Sequence, residues 1–133
     1  MDAFCTYCCK GKTCDPGKIP AIERYTSQRI RSVYASALSV GQRFFILSGE
    51  YGLLSPSEPI RCYDHLLQDH EVGNLSEKVG EQLRGAGVQK LFYFTKPVQA
   101  NEDEKLRPYF KTAQIACRTA CVELVVVTLP EDG

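Results

Sequence analysis

The sequence predicts an α/β protein, a three-layer domain built on a mostly parallel sheet of about four strands. Three observations lead there. Short apolar runs rich in β-compatible residues alternate with amphipathic helical patterns, the order that gives parallel strands joined by right-handed crossovers. The runs at 44–47 and 90–95 are almost continuously apolar or aromatic, as strands buried on both faces must be. The 133 residues suffice for one core and not for two ordinary ones, so residues 1–133 are expected to form a single domain.

Each element follows from a local pattern. Residues 3–8 form a first strand that ends in a Gly-, Pro- and Lys-containing loop over 9–17. Ile30, Val33, Tyr34, Ala37 and Leu38 recur at helical spacing, with Ser27 placed as N-cap and Gly41 as terminator. Strand two covers 43–47. Residues 65–70 suit a helical turn, and a helix capped by Asn74 carries Leu75, Val79 and Leu83 on one face before Gly85 and Gly87 stop it. Strand three, 90–95, is the clearest in the chain. An acidic helix start at 101–104 suits the helix dipole, and Pro108 must kink or restart that helix because it lacks an amide donor. Helical spacing resumes over 109–120, and 122–128 reads as a last strand. The arrangement is Rossmann-like, with a strand order that local patterns do not specify.

Hydrophobic residues at 44% and charged residues at 24% are globular values, which excludes a disordered or collagen-like chain. No apolar run nears the roughly 20 residues of a membrane helix, and Met1-Asp2-Ala3-Phe4 lacks the features of a signal peptide. A cytoplasmic protein without a membrane partner is expected. With 16 basic and 16 acidic residues the formal charge is zero, which argues against a surface built for a long nucleic-acid duplex. The balance is uneven, however. Between positions 10 and 43, Lys10, Lys12, Lys18, Arg24, Arg29, Arg31 and Arg43 face only Asp15 and Glu23, which leaves room for a local anion site.

Seven cysteines, an odd number without a secretory signal, speak against a disulfide framework. Three readings stand for the cluster near the N-terminus. Cys5-Thr6-Tyr7-Cys8 has dithiol redox spacing, but the strand that should precede such a motif is missing. Cys5, Cys8 or Cys9, and Cys14 would supply three thiolates to zinc, with Cys62 or a histidine as fourth ligand. Free thiols at a strand end are the structural alternative. Cys117 and Cys121 are expected to face the core, and His65 and His70 the surface.

The stretch 42–64 carries the leading site candidate. If 44–47 is a buried parallel strand, Ser48-Gly49-Glu50-Tyr51-Gly52 lies at its carboxyl end, where open α/β sheets bind ligands. The two glycines permit close backbone approach, and Ser48 ends the strand with a hydroxyl. Glu50 and Asp64 are the nearby carboxylates suited to general base work, although a tight turn with solvated acids would look the same. Ser27, at a helix N-terminus, is a plain N-cap or an anion contact.

Cys8-Cys9-Lys10, Tyr25-Thr26-Ser27, Leu47-Ser48-Gly49-Glu50-Tyr51-Gly52-Leu53 and Tyr63-Asp64 together resemble a family of small prokaryotic and phage proteins of unknown function. Its elements, in this order, are Cys-Ser-Lys, Tyr-x-Ser, Leu-Ser-x-x-Tyr/His-Gly-Leu and Pro-Tyr-Asp. The resemblance covers about residues 5–67. Some members are labelled as related to enzymes of queuine and archaeosine tRNA modification. It implies as site residues Cys8, Lys10, Tyr25, Ser27, Ser48, Tyr51, Gly52, Tyr63 and Asp64. Cys9 stands where the family usually has serine, Cys62 where it has proline, and Glu50 where lysine is common.

The leading expectation is an enzyme that binds a nucleotide, nucleoside or nucleobase and acts on a glycosidic bond. Asp64 would be base or nucleophile and Ser48 would orient the substrate; Cys8, Lys10, Tyr25, Ser27, Tyr51, Gly52 and Tyr63 would bind it. No cofactor is implied beyond zinc at the thiols. The alternatives are a zinc- or ligand-binding module without catalysis and a phage or mobile-element accessory protein. Oligomeric state is not legible.

Overall fold

The computed structural model describes residues 1–13, 15–97 and 104–129. In chain order the elements are β1 (Asp2–Tyr7), β2 (Ile19–Pro20), α1 (Ala21–Arg24), α2 (Gln28–Ser39), β3 (Arg43–Ser48), β4 (Gly52–Leu54), β5 (Pro59–Ile60), α3 (Val72–Ala86), β6 (Lys90–Thr95), α4 (Arg107–Ala120) and β7 (Glu123–Thr128). A 3₁₀ turn at Asp69–Glu71 leads into α3.

Five strands form one sheet in the order β4-β3-β1-β6-β7. β1 pairs in parallel with β3 and β6, and β6 with β7, while β4 runs antiparallel to β3. The α/β class and the mostly parallel sheet are as the sequence predicts. The strand count is higher because the loop after β3 folds straight back as a hairpin. Ser48 pairs with Gly52 across it, and Gly52 takes a φ of +75° that a side chain rarely adopts. β2 and β5 form a separate two-residue ladder.

β1 is central because Ala3, Cys5, Thr6 and Tyr7 are all buried. The aliphatic β7 sits at an edge with no buried residue. α2 begins where Ser27 Oγ accepts the Ile30 amide at 3.4 Å and buries Ile30, Val33 and Ala37. It ends before Gly41, whose φ is +69°. α3 starts earlier than Asn74 implies, because a capping box between Gln68 and Glu71 carries the chain in. Gly85 stays helical, and Gly87, at φ +71°, is the terminator. Pro108 lies in the first turn of α4, where no amide donor is needed. Residues 101–103 of the expected acidic start lie outside the described residues.

α3 and α4 pack on each other, with Gly80 so close that an added Cβ would sit 3.6 Å from the Ala116 carbonyl oxygen. Cys117 faces this core as expected. Cys121 instead caps α4 in a left-handed conformation and is exposed. Among the described residues, no helix is long and apolar enough to cross a membrane.

The fully buried Arg24 ties the loop after β1 to β5. Its guanidinium donates to the carbonyls of Thr13 at 3.1 Å, Asp15 at 2.9 Å, Gly17 at 2.8 Å and Ile60 at 3.0 Å.

Connectivity then locates a crevice. From β1 the chain crosses to β3 on one side and later returns past β1 to β6 on the other. The carboxyl ends of β1 and β6 are therefore a topological switch point, the place where loops diverge and leave room for a ligand.

Candidate functional site

A cavity of about 600 Å³ opens at that switch point. Tyr7 and Cys8 at the end of β1 border it together with Cys9, Lys10 and Lys12 of the following loop. Ser27 and Arg29 from the start of α2 form another wall; Asp64, His65 and Leu66 stand on the segment after β5. Lys96 follows β6 directly, and Lys105, Leu106 and Tyr109 come from the approach to α4 and its first turn. Five cationic side chains thus share the rim with the carboxylate of Asp64, while Tyr7, Leu66, Leu106 and Tyr109 supply apolar surface.

Arg29, half-buried, is held in this charge cluster by the end of β1. Its Nη1 donates to Thr6 Oγ1 at 2.6 Å and to the Tyr7 carbonyl at 2.7 Å, and Nη2 donates to the Cys8 carbonyl at 3.4 Å. Thr6 passes its own hydroxyl hydrogen to the Phe94 carbonyl at 2.8 Å, so one buried threonine links β1, β6 and the arginine. The guanidinium lies 3.6 Å from the centre of the Tyr7 ring, a cation–π stack that fixes its plane.

A second cluster stands beside the cavity. Ser48 Oγ accepts the amides of Glu50 and Tyr51, both at 3.1 Å, which takes up its two lone pairs. Its hydrogen therefore goes to the Tyr63 hydroxyl at 2.7 Å, and Tyr63 in turn bonds to Tyr25. Burial pushes both phenols well above the ordinary tyrosine range, so they act as neutral hydrogen-bonding groups. Lys12 Nζ stands 4.5 Å from the centre of the Tyr63 ring, and Tyr51 meets the same ring edge to face at 5.3 Å.

Behind His65, Tyr109 Oη receives the Cys8 thiol at 3.6 Å and the Leu67 amide at 3.2 Å. Gly49 is confined here: an added Cβ would lie 3.1 Å from the His65 carbonyl oxygen and 3.2 Å from Tyr109 Oη. His65 is clasped between two acids, Nδ1 at 2.6 Å from Glu50 and Nε2 at 2.7 Å from Glu71. The hydrogen bond to Glu50, then that to Glu71, raises its pKa above the ordinary histidine value. The half-buried His65 thus departs from the expected surface position, whereas His70 is exposed.

The structure brings Cys8, Lys10, Ser27 and Asp64 to one cavity. Ser48, Tyr25, Tyr63 and Tyr51 form the adjoining cluster rather than its lining. Gly52 does not line the cavity; a Cβ added to it would lie 2.5 Å from Gln82 Oε1 of α3. Cys5 is fully buried, its thiol pushed up by desolvation, and lies apart from the cavity lining. Among the described residues no three His, Cys, Asp or Glu side chains gather as a metal needs; Cys14 lies outside those residues. Sequence reasoning missed Arg29 as a site residue, together with Lys96, Lys105 and Tyr109. Arg29 did leave a signal, being a cation in the first turn of a helix whose dipole disfavours it there.

Fold and site define an α/β protein whose mostly parallel sheet carries a cation-rich cavity at its switch point. The model of a family of unknown function, DUF6884, matches residues 6–95, and the chain belongs to that family. The matched region runs from the last two residues of β1 through β6 and holds most of the cavity wall. No curated protein and no solved structure matches the chain significantly.

Proposed function

We propose that the cavity binds a nucleotide, nucleoside or nucleobase and that the protein acts on its glycosidic bond. The observation that carries this reading is the division of the cavity into a cationic rim and an apolar, aromatic wall. A ligand with an anionic end and a flat heterocycle matches both, and a volume of about 600 Å³ is in the range of small-molecule sites. Its location at the switch point of what we read as a three-layer, Rossmann-like domain supports the same class of ligand. The label that some members of the resembled family carry, as related to enzymes of deazaguanine tRNA modification, is what favours glycosidic chemistry over other reactions of a base.

Among the described residues, Asp64 is the carboxylate on the cavity rim. Beside an anomeric carbon it would stabilise the positive charge that develops there and take the proton of an attacking water, or attack itself. Leu66 and Leu106, with the little of Tyr7 and Tyr109 that is exposed, offer apolar surface for a base. Ser48 is better suited to holding the 49–51 turn and Tyr63 than to touching substrate, since it is fully buried.

Calorimetry with a panel of bases, nucleosides and nucleotides, joined to chromatographic detection of released base, tests the proposal. Asp64→Asn should keep ligand affinity and lower turnover by about 10²-fold or more. Absence of binding to every compound in the panel would sink the reading, and binding without base release would reduce it to a ligand-binding module.

A further inference from the structure

Arg29 has unfinished hydrogen bonding. Three of its five guanidinium N–H groups are engaged by Thr6, Tyr7 and Cys8, all on β1 or at its end. Among the described residues that leaves Nε–H and one Nη2 hydrogen, on the two nitrogens that share one edge of the planar group. This edge is the fork that grips two oxygens of one phosphoryl or carboxylate group. Among the described residues no carboxylate pairs with Arg29, and the residue lines the cavity.

The placement is unfavourable for folding alone. Arg29 is the second residue of α2, whose first turn contains no acid, so its charge opposes the helix dipole. It is half-buried, and Lys10, Lys12, Lys96 and Lys105 line the same cavity. Among the described residues one carboxylate, Asp64, lines the cavity with Arg29, Lys10, Lys12 and Lys96. A bound dianion would remove this repulsion, and a fork in a fixed plane would select its geometry.

We propose that Arg29 is the anchor of a phosphate subsite and that the ligand of this cavity is a phosphorylated nucleotide rather than a free nucleoside or base. This rests on the reading above that the ligand carries a base. One phosphoryl group sits on the Nε/Nη2 edge of Arg29, with the Lys10 and Lys96 ammonium groups beside it. A dianionic phosphate ester fits the charge count better than a carboxylate, whose single charge would leave most of the rim uncompensated. Thr6 is the positioning residue that holds the fork in place through its bond to Nη1.

The test compares nucleoside 5′-monophosphates with the matching nucleosides and with inorganic phosphate, by calorimetry on the full chain. Mononucleotides should bind at least about tenfold tighter than nucleosides, as charge-assisted bonds imply, with an affinity that falls as salt rises. Arg29→Gln should remove most of that gap, read as the ratio of nucleotide to nucleoside affinity. Arg29→Lys should restore it only in part, because the charge returns without the fork. Lys96→Ala, at an exposed position, gives a milder loss of the same kind should the Arg29 variants unfold. Equal affinity for nucleosides and nucleotides would overturn the subsite and leave the proposed function standing. Inorganic phosphate binding with no preference for any base-containing ligand would do the opposite, leaving the anchor and removing the nucleotide.

Discussion

Ser48 shows how a residue singled out for chemistry can belong to architecture. Two backbone amides take its lone pairs, Tyr63 takes its hydrogen, and no capacity remains for a substrate. Ser48→Ala would strand two amides and a buried phenol, a loss of about 1–3 kcal/mol in unfolding free energy. A urea midpoint measured on the variant checks this. Unchanged stability with lost turnover would return Ser48 to the catalytic list. Asp64 has the opposite character: it is exposed on the cavity rim, and its replacement by asparagine should affect turnover without touching the fold. Cys8, Lys10 and Ser27 stand beside the strand end and helix start that pattern reasoning located, and Asp64 was singled out as a nearby carboxylate and by the family resemblance; that these four share a cavity is what the fold adds. Arg29, Lys96 and Lys105 were not legible, since their convergence depends on which strands are neighbours, and local sequence does not carry strand order.

At the scale of elements, the hairpin turn at 49–51 and the segment entering α3 are joined by His65, Glu50 and Glu71. His65 has a folded pKa above its ordinary 6.5, so its contribution is complete below that value and is lost as pH rises through the folded pKa. Glu71 has a folded pKa below its ordinary 4.5, through its bonds to His65 and then to the Gln68 amide. Its contribution is present above 4.5 and is lost as pH falls through the folded value. The clasp is therefore strongest between pH 4.5 and 6.5 and loosens toward alkaline pH. All three side chains are partly exposed, so each pair is worth only about 0.2–1 kcal/mol. The urea midpoint should fall from pH 6 to pH 9 by more in the wild type than in His65→Gln. Parallel profiles for the two proteins would show that the clasp adds nothing. The same elements show why boundaries were misread. β4 is three residues long, too short for alternation to register, and the helical entry to α3 rests on a Gln68–Glu71 capping box that a search for Ser, Thr, Asp or Asn passes over.

Across the whole molecule, the alternation of strands and helices made the class of fold readable, and the strand expected at 90–95 matches β6 residue for residue, although its burial alternates instead of covering both faces. The two-residue ladder of β2 and β5 joins positions about 40 apart and leaves no periodic trace, so its register could only come from the folded chain. Sheet order divides the apolar residues into two kinds that look alike in sequence. Leu83 is fully buried between α3 and its neighbours, whereas Val126 is 42% exposed on the edge strand β7. Leu83→Ala should cost about 2–5 kcal/mol, the sum of lost burial and the cavity left behind. Val126→Lys should stay within about 0.5 kcal/mol of wild type, because the ammonium reaches solvent from an edge. It should also slow aggregation, since β7 presents three successive valines beside unpaired backbone groups and no lysine within the strand guards it. Equal destabilisation by the two variants, read from denaturant midpoints, would mean that β7 is covered in the folded state and that the sheet does not end there.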